Sequence, residues 1–219
     1  MEHIIAADLP NLEQRYRANL INSLAGFKSV SLIGTINRSG ITNLAVFSQI
    51  FHLGADPALI GVLVRPNSSP RHTLANMEET GYFTINHIRQ DFLLQAHHTS
   101  ARWDHSEFHA CRLTPWYSKT LKAPYVAEAN VRIGLEVAET QMLSINNTIL
   151  VIGAIEEIWI PENCLEPDGF VDLEEAGSLT SSGLDSYHST KKVARLSYAK
   201  PTKNPKVLKP EVRTEVLPS

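Results

Sequence analysis

The stretch from residue 43 to residue 73 constrains the fold more than any other part of the chain. Its run Ala58 to Val64 is apolar on both faces, which predicts a strand covered on both sides. The run ends at Arg65, and a loop rich in hydroxyl groups follows. In that loop Ser69 suits the N-cap of a helix and Pro70 suits its first position. The stretch therefore predicts a buried strand, a polar loop and a helix start in immediate succession.

This loop has the groups that bind a phosphate. Free N–H groups and the helix dipole attract anions to a helix N-terminus. Hydroxyl and guanidinium groups surround that point in the sequence, and they belong to Arg65, Ser68, Ser69, Arg71 and Thr73. An ordinary helix cap beside a solvated arginine explains the same loop without a ligand. Arg65 favours the ligand, because it ends a strand that otherwise has no charge.

The preceding strand has an unusual mixture of side chains. Small and polar residues alternate with apolar ones in the run Asn43, Leu44, Ala45, Val46, Phe47 and Ser48. Such a strand lets backbone and small polar groups approach a flat ligand, although a partly exposed strand without a ligand has the same composition.

Most of the remaining chain alternates with the period of β-strands. Residues 30–36 and the run after Asn37–Gly40 predict a hairpin, and 131–138 and 148–160 predict another around Asn146–Asn147. Helices are expected at 9–25, 70–80 and 89–98, the first of them with one buried stripe formed by Leu12, Tyr16, Leu20 and Leu24. Five or six strands joined mainly by hairpins predict a mainly β fold with flanking helices, a small antiparallel barrel rather than an α/β sheet.

Size and composition favour one compact domain. The chain has 219 residues, of which 43% are hydrophobic, enough for a sizeable core. Its end is rich in proline and charge, with Pro201, Pro205, Pro210 and Pro218. We expect a single domain over residues 1–199 and an extended C-terminal arm over 200–219.

Charge and motifs exclude several classes of protein. Twenty Lys and Arg stand against 23 Asp and Glu, a net charge of −3, so nucleic acid is not an expected partner. No apolar run reaches the roughly 18 residues of a membrane span. Cys111 and Cys164 lack CxxC spacing, and together these features predict a soluble cytoplasmic protein. Rossmann and P-loop signatures are also missing from the sequence, which disfavours those nucleotide sites.

Several short motifs, taken in their order, resemble the flavin reductase-like family of FMN-binding split-barrel proteins. The motifs are a turn with Gly40, Asn43-Leu44-Ala45-x-Phe47-Ser48, Asp56-Pro57, Arg65, Arg71-His72-Thr73, and Thr80-Gly81-x-Phe83-x-Ile85-Asn86. Further similarity lies in His98-Thr99-Ser100-Ala101, Ser106-Glu107-Phe108, Ala123-Pro124-Tyr125-Val126 and Gly183-Leu184-Asp185-Ser186-Tyr187. The resemblance spans about residues 25 to 200.

The resemblance implies an antiparallel, Greek-key-like split β-barrel that binds FMN. By it, residues 43–48 contact the flavin ring and ribityl chain, and the phosphate group is surrounded by the loop residues named above. His98, Thr99 and Ser100 approach the cofactor, and Tyr187 lies near the flavin or the nicotinamide. The family also implies a homodimer with FMN near the subunit interface.

The expected activity is NAD(P)H-dependent reduction of a flavin or another small molecule. No catalytic base is assigned, since the flavin performs the hydride transfer from NADH or NADPH. One alternative is a flavoredoxin-like FMN electron carrier for a protein partner. Another is a non-enzymatic ligand-binding or metal-binding protein, built on the cluster of His97, His98, His105, His109 and Cys111.

Overall fold

The computed structural model describes residues 1–66 and 72–208 of the chain, and β-strands dominate it. In chain order the strands are β1 (Lys28–Ser29), β2 (Ser31–Ile36), β3 (Thr42–Phe47), β4 (Ile50–Ala55), β5 (Ala58–Val64), β6 (Tyr82–His87), β7 (Pro115–Trp116), β8 (Tyr125–Val126), β9 (Arg132–Leu143), β10 (Thr148–Trp159), β11 (Thr180–Ser182) and β12 (Ser186–His188). The α-helices are α1 (Gln14–Leu24), α2 (His72–Thr80), α3 (Leu93–His98) and α4 (Glu107–Ala110). Short 3-10 helices span Leu9–Asn11, Gln90–Phe92 and Glu162–Cys164.

Seven strands form the main sheet in the order β3-β2-β6-β9-β10-β5-β4. Every neighbouring pair in it is antiparallel. Two small sheets accompany it, one of β1, β11 and β12 and the other of β7 and β8. The prediction of a mainly β, antiparallel fold with a few helices is therefore confirmed.

The sheet must curl, because its two edge strands are consecutive in the chain. β3 ends at Phe47 and β4 begins at Ile50, so only Ser48 and Gln49 join them. In a flat sheet of seven strands the edges would lie roughly 29 Å apart, whereas the chain from residue 47 to residue 50 reaches at most about 11 Å. The two edges therefore meet at one corner, which we call the β3–β4 corner.

Alternating side chains of β2 face two different clusters of buried residues. Ile33 on β2 faces a cluster with Val62, Phe83 and Leu135, and α2 adds to this cluster. The neighbouring Leu32 points the other way. Its cluster comprises Val30, Leu32, Leu44, Ile88, Phe92, Ala96, Phe108, Cys111, Leu113, Val126, Ala129 and Leu179. Both faces of β2 are thus buried, one against the barrel interior and the other against α3, α4 and the loops beside them.

A buried amide joins the barrel to the segment before β9. Asn86 is completely buried, and its Nδ2 donates to the carbonyl of Leu32 at 3.1 Å. Its Oδ1 accepts from the N–H of Val126 at 2.9 Å. Gly34 lets the same segment approach, because a Cβ there would lie 2.1 Å from the carbonyl oxygen of Pro124.

The predicted hairpins and the predicted helix beginning near residue 70 are present. In the first hairpin Gly40 has a φ of 82° and donates its N–H to the carbonyl of Asn37. In the second, Asn147 takes the left-handed conformation that lets β9 turn into β10. α2 ends before Gly81, as its pattern predicts.

Three expectations differ from the structure. β4 was not among the predicted strands, and with it the main sheet exceeds the expected five or six. The expected buried stripe of the first helix is wrong for this chain, since Tyr16 is 56% exposed and Leu24 70% exposed. Within the single chain β5 is covered on one side only, because Leu59 and Leu63 stay partly exposed while Val62 and Val64 are buried.

The C-terminal segment folds back on itself within the described residues. The N–H of Ser197 donates to the carbonyl of Lys206, and Leu196 and Val207 form an isolated β-bridge. Arg195 pairs with Glu166 and Asp168, so the segment is tied to the loop before it. The domain boundary near residue 200 stays a prediction, and residues 209–219 lie outside the described part. Among the described helices, none is long and apolar enough to cross a membrane.

His87 at the end of β6 makes stability depend on pH. Burial lowers its pKa from 6.5 to about 4, and its Nδ1 lies 2.9 Å from the hydroxyl of Ser178. Below about pH 6.5 this histidine binds a proton in the unfolded chain, whereas in the native protein it binds one only near pH 4. The free energy of unfolding should therefore fall as pH drops through this window, by at most about 3 kcal/mol.

Urea unfolding near pH 7 and near pH 5 measures this loss. The variant His87→Gln should lose less stability between the two pH values than the wild type. His52→Gln, at an exposed strand position, should keep the wild-type loss. An unchanged pH dependence in His87→Gln would show that another group is responsible.

Candidate functional site

A cavity of about 740 Å³ opens at the β3–β4 corner. This volume is within the range of small-molecule sites, on the order of 300 to 1,000 Å³. A smaller cavity of about 280 Å³ lies beside Arg89 and Asp91 and shares no lining residue with the first. The larger cavity is the candidate site, because it lies where the residues singled out in the sequence meet.

The structure brings most of the predicted site residues to this one cavity. Those that line it are Asn43, Ala45, Val46, Phe47, Ser48, Arg65, Thr73, Thr99, Ser100 and Tyr187. They come from β3, the end of β5, the start of α2, the end of α3 and β12. Segments far apart in sequence therefore converge on it, although whether these residues bind a cofactor stays a prediction.

The other predicted residues do not line the cavity or lie outside the described part. Leu44 is fully buried in the core under α3 and α4, whereas Val46, on the same face of β3, packs against that core and also borders the cavity. His98 is exposed, and its ring contacts Trp103 instead. Ser68, Ser69 and Arg71 lie outside the described residues.

A hydrogen-bond network fixes the start of α2 beside β3. Nδ2 of Asn43 donates to Oγ1 of Thr73 at 2.9 Å. Nδ2 of Asn76 donates to Oγ1 of Thr35 at 3.0 Å, and both of these residues are buried. Asn43 therefore acts by positioning α2, so that His72 and Thr73 border the cavity at a fixed place.

The cavity has a cationic side. Arg65 and Arg102 line it, and none of the ion pairs within the described residues involves either of them. Lys28 lies near Arg65, and its Nζ donates to the carbonyl of Gly183 at 2.7 Å. Burial lowers the pKa of Lys28, and the positive charge of Arg65 lowers it further. An anionic group would relieve this crowding of positive charge.

Aromatic side chains form another wall. The hydroxyl of Tyr187 lies 2.8 Å from Nδ1 of His97, and the two rings meet edge to face at 5.6 Å. Burial raises the pKa of Tyr187, and the charge of Asp185 adds to this effect. Trp103 is held by its Nε1–H, which donates to the carbonyl of His98 at 3.1 Å. These rings give the cavity flat apolar surfaces suited to a planar ligand.

One buried hydroxyl in the wall has no hydrogen-bond partner within the described residues. Ser181 is 4% exposed, and no group in the described part of the chain hydrogen-bonds its Oγ. It also lines the cavity. Because a buried polar group without a partner costs free energy, Ser181 indicates a polar ligand at this wall.

Several lining residues were not predicted from the sequence. They are Val30, Gln49, Leu63, Val64, His72, His97, Ala101, Arg102, Trp103, Glu107, Ser181 and Leu184. His97, Arg102 and Trp103 belong to the histidine-rich region, where the aromatic residues were the available signal. Ser181 had no local signal, since only the pairing of β11 with β1 brings it here.

The histidine-rich region is arranged as a row of rings rather than around a centre. His105 lies between Trp103 and His109, at ring-centroid distances of 5.8 Å and 5.5 Å. In the described part of the chain, no group of three or more His, Cys, Asp or Glu side chains is placed to hold a metal ion. The geometry of this region is thus that of ring packing.

Comparison with known proteins agrees with this geometry. A family model described as a flavin reductase like domain matches residues 27–174. The crystal structure of a protein assigned as a flavin reductase with a split barrel domain, from Shewanella frigidimarina NCIMB 400, is 46% identical with a TM-score of 0.88. It covers 91% of this chain and 100% of its own.

More distant proteins also match this chain. Nitrilotriacetate monooxygenase component B from Bacillus cereus is 21% identical with a TM-score of 0.79, over 90% of this chain and 98% of its own. An uncharacterized protein of Halalkalibacterium halodurans is 29% identical over 115 residues. That match covers 50% of this chain and 54% of the relative, little more than half its length.

Proposed function

The chain belongs to the flavin reductase-like family, and on that basis we propose that it binds FMN and reduces a flavin or another small molecule with NADH or NADPH. The observation that carries the proposal is the cavity at the β3–β4 corner, which combines flat aromatic walls with Arg65, an arginine that has no ion pair within the described residues. Planar rings and a charged phosphate are the two chemical features of FMN that such a cavity selects.

The donor set of the cavity fits FMN. Arg65 offers a guanidinium for the phosphate, and Lys28 adds charge beside it. Ser181 offers a hydroxyl that lacks a partner among the described residues, suited to the ribityl chain or the polar ring edge. Trp103 and Tyr187 offer ring surfaces, and β3 offers its outer edge.

The bound flavin would supply the redox chemistry, accepting a hydride from a reduced nicotinamide and passing electrons on to the acceptor. The protein positions and shields the reactants. The contact between Tyr187 and His97 joins β12 to α3 across the cavity wall. The network of Asn43 and Thr73 keeps α2 from shifting. No side chain is assigned as a catalytic acid or base.

The absorption spectrum of the purified protein tests the proposal. We expect a yellow protein with a flavin band that bleaches when NADH or NADPH is added without oxygen. A flavin band that neither nucleotide bleaches would favour the alternative of an FMN electron carrier for a protein partner. Colourless protein that retains no bound flavin after it has been mixed with FMN would contradict both the reductase and the electron carrier.

Substitution of Arg65 tests the phosphate contact. Arg65→Ala should weaken FMN binding roughly tenfold or more and leave riboflavin binding unchanged, because charged hydrogen bonds are worth about 1.5 to 3 kcal/mol. Quenching of flavin fluorescence measures both dissociation constants. Arg38→Ala, at an exposed arginine in the β2–β3 turn, is the control and should change neither. Equal losses of affinity for FMN and riboflavin would show that Arg65 does not bind the phosphate.

We also propose that the protein is a homodimer whose partner covers the outer face of β4, β5 and β10. This face has a row of apolar side chains, namely Phe51, Leu59, Leu63, Leu150 and Ile152. Phe51 is 39% exposed and the others are partly exposed. Leu63 also lines the cavity, so a subunit seated on this face would reach the flavin site.

A charge placed in this face tests the dimer. Ile152→Glu should convert a dimer into a monomer, since burying an unpaired carboxylate in an apolar interface is strongly unfavourable. Light scattering after size-exclusion chromatography gives the mass directly. Val193→Glu, at a side chain 98% exposed elsewhere, should leave the mass unchanged. A monomeric wild type, or a dimeric Ile152→Glu, would contradict the proposed interface.

A cytoplasmic location is part of the same proposal. Cys111 and Cys164 are both buried and unpaired. Burial raises the pKa of each thiol, so both stay protonated and unreactive at neutral pH. Such cysteines suit a reducing compartment.

A further inference from the structure

A buried carboxylate lies against the outer edge of β3, beside the cavity. Glu107, the first residue of α4, is only 9% exposed. Its Oε2 accepts the backbone N–H of Leu44 at 2.9 Å. Its side chain also lines the cavity. A carboxylate buried on a strand edge at this point needs an explanation, because burial of a charge is costly unless the charge has a specific partner.

This contact fixes which backbone groups of β3 face the cavity. β3 is an edge strand that pairs only with β2 in the main sheet. Along an antiparallel edge strand, N–H groups point alternately to the neighbour and to the open edge. The N–H of Leu44 points to the open edge, where Glu107 binds it, so the N–H of Val46 points to that edge too. Val46 lines the cavity, and its N–H therefore borders the candidate flavin site.

A second contact joins the same two elements. Oγ of Ser106, the residue before α4, lies 2.7 Å from Oγ1 of Thr42. Phe108, the residue after Glu107, is buried in the core with Leu44. Ser106 therefore holds the beginning of β3, whereas Glu107 holds it closer to the cavity, two residues before Val46.

We propose that Glu107 is a positioning residue for the flavin: it clamps the edge of β3 so that the N–H of Val46 meets the polar edge of the ring system. This rests on the proposed function of the cavity. A charged acceptor binds an N–H more strongly than a neutral one and holds an otherwise mobile strand edge. A donor fixed in advance binds its ligand without a further cost of ordering.

Two variants of similar size separate the hydrogen bond from the packing. Glu107→Met fills the same space and cannot accept a strong hydrogen bond, whereas Glu107→Gln keeps an oxygen that can accept the N–H of Leu44. Glu107→Met should weaken FMN and riboflavin binding by the same factor, about tenfold, because the ring edge rather than the phosphate loses its donor. Glu107→Gln should bind both within about threefold of the wild type.

Ser106→Ala is the matched control. It removes the hydroxyl contact to Thr42 on the same helix start and leaves the clamp on Leu44 in place, so both flavins should bind as in the wild type. Circular dichroism on all variants verifies that each is folded. In the wild type without flavin, hydrogen exchange of the Leu44 amide should be as slow as that of paired amides in β2.

Four results would contradict the proposed role of Glu107. Unchanged binding by Glu107→Met, equal losses in Glu107→Met and Glu107→Gln, a loss confined to FMN, or fast exchange of the Leu44 amide would overturn the role of Glu107. These results differ from a failure of the proposed function, which would appear as a wild type that binds neither flavin.

Discussion

The two-residue connection between β3 and β4 is the constraint on which the rest of this structure depends. Because the two edges of the sheet must meet there, the sheet curls and one apolar cluster becomes enclosed between its strands and α2. The cavity opens at this corner, where residues 47–49 border it together with the ends of β3 and β5. The site is thus a consequence of how the barrel closes and not an addition to it.

The local sequence predicted most of the elements and a small antiparallel barrel, but not the contacts between distant residues that close it. Hairpins such as β2–β3 and β9–β10 depend on alternation and on turn residues close in sequence, so they could be predicted. β4 escaped prediction because His52, Gly54 and Ala55 interrupt its apolar pattern, and its pairing with β5 shifts register between His52 and Gly54. The buried contacts of Asn86 join residues 40 and 54 positions apart, and no periodicity reports such pairs.

The candidate site, too, was predictable from local sequence only in part. The run from Asn43 to Ser48 was recognisable as a whole, but its local pattern does not tell which of its residues face the cavity. In the structure Leu44 belongs to a core, while Val46 on the same face and Asn43, Ala45 and Phe47 on the other face line the cavity. His98 lies on the outside of α3, where it packs on Trp103. Ser181 reaches the cavity only through the pairing of β1 with β11, which lie about 150 residues apart in sequence.

The match to the family model includes the residues on one side of the cavity but not those on the other. Its model ends at residue 174, whereas Ser181, Leu184 and Tyr187 come from the segment after it. Arg65, β3 and the start of α2 lie within the matched region, and these are the groups proposed to hold the cofactor. The wall formed by β11 and β12 is therefore specified by residues that the family match does not describe. Under the proposed function, a molecule that exchanges electrons with the flavin lies against a wall of the same cavity. Membership in the family therefore says more about the cofactor than about the acceptor.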